Sequence, residues 1–134
     1  RHRERGFVWG YGHLVIFGSL AATGAGLHVA STVISHEAHI SATAAILTLV
    51  IPVAIFMVAL FALYSLLLLE FDPFHLLLFV GSMLALAASV AAVAAGATVG
   101  VGIVIAACAP LIVIVGYETV GHRHQSAALA KSLE

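Results

Sequence analysis

The stretch that decides the fold is ISATAAILTLVIPVAIFMVALFALYSLLLL, residues 40–69, which contains no charged side chain. A transmembrane α-helix needs about 20 consecutive apolar residues. This segment is therefore long enough to cross a bilayer with tilt, or to project from it. Its apolar residues are continuous, without the alternation that membrane β-strands show. The segment predicts a membrane-spanning helix.

Three other apolar stretches have the length of a membrane span, at about residues 7–33, 75–95 and 99–120. Together with residues 40–69 they predict an all-α membrane protein. Residues 1–126 are expected to form one domain, a four-transmembrane-helix bundle.

The composition agrees with this fold class. Hydrophobic residues make up 63% of the chain and charged residues only 8%, whereas soluble domains carry roughly 25% charged residues. Because so few charges cannot cover a water-facing surface, most of the surface is expected to face lipid or other protein. Cys108 is the single cysteine, which excludes an intrachain disulfide.

The basic residues predict the orientation in the membrane. All five lie near the ends of the chain: Arg1, Arg3, Arg5, Arg123 and Lys131. Lys and Arg favour cytoplasmic flanks, so both termini are predicted to be cytoplasmic, with the bundle in the inner (plasma) membrane. Nucleic-acid binding would need a basic stripe, so no nucleic-acid partner is expected.

The end of the chain is interpreted separately from the bundle. Residues 127–134 are predicted to be a tail, and the final Leu133-Glu134 resembles a cloning scar. The chain also does not begin with Met, so we expect it to be a piece of a longer protein.

A repeated pattern suggests that the bundle consists of two tandem helical hairpins. His13 is followed by three aliphatic residues, Phe17 and Gly18-Ser19, and His75 is followed by a similar run that ends in Gly81-Ser82. Pro52 and Pro110 lie at similar depths in the second and fourth spans. Internal repeats of this kind occur in transporters, although chance similarity between apolar sequences is the alternative.

The beginning of the chain resembles a known family. Residues 3–13 read RERGFVWGYGH, and Ile16-Phe17, Ala21-Ala22 and GAGL at 24–27 follow. This segment resembles the C-terminal part of the bacterial low temperature requirement A family, which are multi-spanning membrane proteins without a settled biochemical activity. The resemblance covers about the first quarter of the chain. It implies a membrane location but no reaction, and His28 stands where the family is expected to carry an acidic residue.

Three ionisable residues are predicted to lie at membrane depth, where such side chains are costly and by default functional. His13 and His28 lie near the two ends of the first span, about 60° apart around the helix axis. Glu118 lies near the inner end of the fourth span. Histidine titrates close to neutral pH, so these residues are interpreted as pathway or proton-linked groups. A packed His13, bonded to a neighbouring helix, is the alternative.

Further ionisable residues on the inner side are predicted to converge with His13 and Glu118 if the helices pack in order. They are His75, His122, Glu70 and Asp72. The alternative is that Glu70, Asp72, His122 and His124 are solvated loop and flank residues, because charged flanks reach water.

A metal site is a further hypothesis, placed in the first outer loop. His36 and His39, with Glu37 between them, carry ligand types that zinc accepts. Zinc sites use three or four protein ligands, so a solvated loop is the alternative.

These observations leave three functions open. The first is a transporter- or channel-like module with proton linkage, working as a homo-oligomer or with further helices of a longer parent protein. The second is a haem- or metal-binding helical bundle, suggested by the eight histidines, although no cofactor is assigned. The third is a structural or assembly fragment of a larger membrane protein. No phosphate-binding loop, hydrolase elbow or HExxH pattern occurs, so an enzyme is not expected.

Overall fold

A computed structural model describes residues 2–68 and 73–121, which form four long α-helices and no strand. The helices are α1 (His2–Ile34), α2 (Ala42–Leu68), α3 (Pro73–Ala94) and α4 (Val99–Gly116). A short π-helix, Tyr117–Gly121, continues directly from α4. The predicted all-α fold with four membrane-spanning helices is confirmed.

All four helices are long and apolar enough to cross a membrane. α1 has 33 residues, which corresponds to about 50 Å and exceeds the roughly 30 Å of a bilayer core. Large apolar side chains on the outside of the bundle are exposed, among them Leu14, Leu77 and Val104. Such a surface is stable against lipid, and the chain is a multi-pass membrane protein.

Consecutive helices run antiparallel, and the packing is pairwise. α1 packs mainly on α2 and α3 mainly on α4, while α2 also contacts α3 and α4. The main core combines Ile46 and Leu49 of α2, Leu86 of α3, and Ala106 and Ala109 of α4. α1 and α3 begin and α2 and α4 end at the same end of the bundle, which we call the terminal end.

Two glycines on one face of α1 allow close packing against α2. A β-carbon at Gly12 would overlap the side chain of Leu63, and one at Gly26 would overlap the carbonyl oxygen of Thr48. Small residues at helix interfaces let backbones approach closely within a membrane. α1 is therefore attached to the bundle along one glycine-containing face.

The short connections at the opposite end are closed by local hydrogen bonds. His36 adopts a left-handed conformation with φ of 60°, and Gly96 one with φ of 104°. The Ser41 side chain accepts from the backbone N–H of Ala44 at 3.1 Å, and Thr98 caps α4 by accepting from the N–H of Val101 at 3.3 Å. These caps satisfy N–H groups that the first helical turn leaves unpaired.

Candidate functional site

A polar stripe runs along the face of α3 that contacts α4. His75, Ser82 and Ser89 are seven residues apart, and each forms a hydrogen bond to the α4 segment or to the π-helix. A seven-residue spacing returns to nearly the same face of a helix. The stripe therefore aligns three polar layers from the terminal end toward the other end of the bundle.

The two serines of this stripe are fully buried. The Ser82 hydroxyl lies 2.9 Å from the carbonyl oxygens of both Leu78 and Ala109, which share its single proton. The Ser89 hydroxyl donates to the carbonyl oxygen of Gly102 at 2.7 Å. Because lipid offers no alternative partner, such bonds fix the register of two membrane helices.

His75 is the first polar residue of the stripe and lies among aromatic rings at the terminal end. Its ring centroid is 4.2 Å from that of Tyr64, with 20° between the ring planes, and 4.3 Å from that of Phe61. Its Nδ1 atom forms a hydrogen bond with the hydroxyl of Tyr117. α2, α3 and the π-helix therefore each contribute to the environment of one imidazole.

The π-helix places Tyr117 beside His75. The Tyr117 backbone N–H donates to the carbonyl oxygens of Ile114 and Val113 at the end of α4. The π-helix, whose turns are wider than those of an α-helix, begins at Tyr117. Gly116 lets the end of α4 pack closely against α3, because a β-carbon there would overlap the side chain of Leu78. π-helical turns are rare and occur frequently at functional sites.

A cavity of about 350 Å³ adjoins this His–Tyr pair. Its lining consists of Leu60, Phe61, Tyr64, His75, Val113 and Tyr117. Tyr64 is partly exposed, so the cavity reaches the outside of the bundle. Ligand pockets are typically about 300–1,000 Å³ and mostly apolar with a few polar groups, and this cavity has that character.

The His75–Tyr117 hydrogen bond can exist in two directions. When the imidazole is neutral with its proton on Nε2, the tyrosine hydroxyl donates to Nδ1. When the imidazole is protonated, both ring nitrogens are donors and Nδ1 donates to the hydroxyl oxygen. The pair therefore accepts or releases one proton at Nδ1 and keeps its hydrogen bond in both states.

His13 lies on α1, apart from this site. Its Nδ1 donates to the carbonyl oxygen of Trp9 in its own helix at 2.7 Å. Its ring lies 4.1 Å from the Trp9 ring and 6.2 Å from the Phe17 ring. Because α1 and α3 do not contact each other within the described residues, the structure does not bring His13 beside His75.

The other predicted pathway residues have exposed side chains. His28 is exposed on α1, and Glu118 is exposed on the π-helix next to Tyr117. Glu70, Asp72 and His122 lie outside the described residues, as does the tail at 127–134. Of the predicted inner-side cluster, the structure thus places His75 in a defined site beside Tyr117, the residue before Glu118.

The predicted zinc ligands lie in the connection between α1 and α2. His36, Glu37 and His39 are all exposed. Across residues 2–68 and 73–121 no group of three or more His, Cys, Asp or Glu side chains has an arrangement that could hold a metal ion.

Comparison with known protein families identifies the chain. The family model described as bacterial low temperature requirement A protein (LtrA) matches residues 1–114. The chain belongs to the LtrA family. The resemblance predicted from the RERGFVWGYGH segment is confirmed, and the match extends through α3 into α4. Neither the curated proteins nor the solved structures contain a significant match to the chain.

In this LtrA family member, sequence reasoning missed most of the residues around His75. Phe61, Tyr64 and Tyr117 contact it from other helices, and Tyr117 lies beyond the residues that match the family model. The seven-residue spacing of His75, Ser82 and Ser89 is visible in the sequence and is the signal from which their common face could have been predicted. No sequence spacing indicates the aromatic partners, because they come from separate helices.

Proposed function

We propose that this LtrA family protein is a proton-linked transport module, transporter- or channel-like, and not an enzyme. The observation that carries the proposal is the His75–Tyr117 pair beside a cavity of about 350 Å³ in a membrane-spanning bundle. Ionisable side chains within membrane-spanning helices typically mark ion pathways or proton relays. Histidine changes its charge close to neutral pH, and it would bind and release the transported proton.

Two prolines are consistent with bending of the helices that line the cavity. Pro52 lies inside α2 and Pro110 inside α4, and these two helices supply cavity residues on either side of His75. A proline removes one helical hydrogen bond and favours bending. Bending of α2 or α4 at these positions would change the separation between Tyr64 and the His75–Tyr117 pair.

We also propose that the module works as a homo-oligomer or together with further helices, in the plasma membrane with both termini cytoplasmic. The outward face of α1 supports this, because a β-carbon at Gly6, Gly10 or Gly24 would meet no atom within 4 Å. The exposed His28 lies on the same face. Small residues with an occasional polar group are typical of surfaces on which membrane helices associate.

The experiment is proton flux into proteoliposomes that contain a pH-sensitive dye and are exposed to a pH gradient. We expect flux above that of empty vesicles for the wild type and loss of that flux for His75→Ala. Cys108→Ala, at an exposed position of α4, is the matched control and should retain the flux. Unchanged flux in His75→Ala would remove the pair from the mechanism. His13→Ala, His28→Ala and Glu118→Gln test the other predicted pathway residues in the same assay.

A further inference from the structure

The cavity beside His75 has the chemistry of an aromatic cage. Phe61, Tyr64 and Tyr117 contribute rings to its lining, and Leu60 and Val113 complete it. The ring centroids of Tyr64 and Tyr117 are 6.3 Å apart, with 53° between their planes. Aromatic faces carry negative electrostatic potential, and rings inclined to each other surround a cation more completely than parallel rings do.

The described part of the surrounding helices favours a cation over an anion in this cavity. Within the described residues of α2, α3, α4 and the π-helix there is no Lys or Arg. Among the residues that line the cavity, an anion would find hydroxyl and imidazole donors but no positive charge, and an unpaired charge is costly in a low-dielectric environment. The lining has no amide or carboxylate, so a strongly polar neutral ligand would find few hydrogen-bond partners there: two tyrosine hydroxyls and one imidazole.

We propose that this cavity binds a small organic cation of the ammonium class, and that the bound cation and a proton on His75 exclude each other. The proposal rests on the proposed transport function of the same site and names its substrate class. A cation within about 6 Å of an aromatic centroid is attracted by the ring, and quaternary ammonium groups are the best-known ligands of such cages.

Mutual exclusion follows from the position of His75. Its imidazole lies 4.2 Å from the Tyr64 centroid and 4.3 Å from the Phe61 centroid. These are two of the rings that line the cavity, so a cation bound against them lies close to the imidazole. Two like charges in one low-dielectric cavity repel each other strongly.

Among residues 2–68 and 73–121, the titratable side chains next to His75 do not remove this conflict. α2 contributes Tyr64, and the π-helix contributes Tyr117 and the neighbouring Glu118, which is exposed to the outside of the bundle. Neither tyrosine carries a carboxylate that could neutralise a second positive charge. Glu118 does not line the cavity, and a carboxylate attracts any cation, so it does not select between the proton and the ligand.

Exchange then has a defined proton balance. Binding of one monovalent cation displaces one proton from the His75 imidazole to water, and release of the cation allows one proton to return. The hydrogen bond to Tyr117 reverses its direction at each step. Such a cycle exchanges one organic cation for one proton without any covalent change.

The test is isothermal titration of the full chain in lipid nanodiscs with phenyltrimethylammonium, at about pH 5.5 and about pH 8, on either side of the usual histidine range. We expect tighter binding at the higher pH, by about tenfold or more, because each pH unit below a site's pKa weakens a competing ligand by up to about tenfold. His75→Ala should bind without this pH dependence. Binding that is equally tight at both pH values in the wild type would overturn mutual exclusion.

Matched variants locate the site. Tyr64→Phe keeps the ring and should retain the affinity within about twofold, whereas Tyr64→Leu should lose about fivefold to thirtyfold, the scale of a desolvated cation–π contact. Tyr11→Leu is the control, because Tyr11 lines a separate apolar groove between α1 and α2. If Tyr11→Leu weakens binding and Tyr64→Leu does not, the cation binds in that groove and the proposal is wrong.

Charge selectivity is tested with tert-butylbenzene, a neutral molecule of nearly the same shape. Saturation of the cavity by this compound, measured as competition with phenyltrimethylammonium, would show an apolar site and overturn the cation proposal. Proton flux through His75 without any phenyltrimethylammonium binding would overturn the substrate class and leave the proposed function intact. Specific, pH-dependent binding without proton flux would overturn the proposed transport function and leave the substrate class intact.

Discussion

Gly26 of α1 packs directly against the carbonyl oxygen of Thr48 in α2. This oxygen lies one turn before Pro52, which has no N–H to donate to it. A β-carbon at Gly26 would also overlap the Cα atom of Leu49. Backbone atoms cannot move aside as a flexible side chain does, so Gly26 determines how closely α1 and α2 approach.

Replacement of this glycine should therefore separate the two helices. We expect Gly26→Ala to lower the free energy of unfolding by about 1–3 kcal/mol, the usual cost of overpacking. Gly18→Ala is the control, since a β-carbon there meets open space, and it should be neutral or stabilising by up to about 1 kcal/mol. The measurement is loss of circular dichroism during titration of micellar protein with a denaturing detergent. Equal effects of the two variants would contradict the close contact.

The buried serine at the centre of α3 offers a second prediction. Ser82 bonds to the Ala109 carbonyl across the α3–α4 interface at 2.9 Å. Ser82→Ala should destabilise the bundle by about 0.5–1.7 kcal/mol, the range measured for hydrogen bonds between membrane helices. Ser31→Ala, at an exposed position of α1, should change the unfolding free energy by much less. A Ser82 variant as stable as the wild type would indicate that this bond makes no net contribution.

The four helices could be predicted from the sequence because each depends on its own composition. A segment such as residues 40–69 must form a helix in lipid, since every backbone polar group needs an internal partner there. That requirement does not depend on neighbouring helices. Hydropathy alone was therefore sufficient for the fold class, and the RERGFVWGYGH segment was sufficient for the family.

The candidate site was less predictable because it depends on how helices rotate and pair. The inner-side hypothesis included His75, yet α1 and α3 do not contact each other within the described residues, and His13 bonds within its own helix. Tyr117 reaches His75 through a π-helical turn, and its sequence position has no feature that predicts such a turn. In the sequence, Phe61 and Tyr64 have no feature that distinguishes them from other residues of an apolar helix.

The cap of α4 gives a third prediction. The Thr98 side chain accepts from the N–H of Val101 and begins the helix. Thr98→Ala should cost about 0.5–2 kcal/mol of stability, whereas Thr98→Ser keeps a hydroxyl acceptor and should cost only a few tenths. Thermal unfolding followed by circular dichroism compares the two variants. Equal losses would indicate that the methyl group of Thr98, not its hydroxyl, stabilises this turn.

The last prediction concerns the hydrogen bond between His75 and Tyr117, whose donor and acceptor exchange when His75 is protonated. Tyr117→Phe keeps the ring and removes the hydroxyl that bonds to Nδ1. We expect a changed ¹⁵N resonance of the His75 Nδ1 atom and slower proton flux, because the partner that holds this nitrogen in both protonation states is lost. Histidine-selective ¹⁵N labelling measures the resonance, which His75→Ala assigns by its disappearance.

Tyr64→Phe is the control for this experiment. The Tyr64 ring stacks on His75 at 4.2 Å, and the substitution preserves that ring while leaving the Tyr117 hydroxyl in place. The Nδ1 resonance should therefore stay close to its wild-type value in Tyr64→Phe and shift in Tyr117→Phe. If both variants shift it equally, ring packing and not the hydroxyl determines the state of His75, and the hydrogen bond has no separate role in proton transfer.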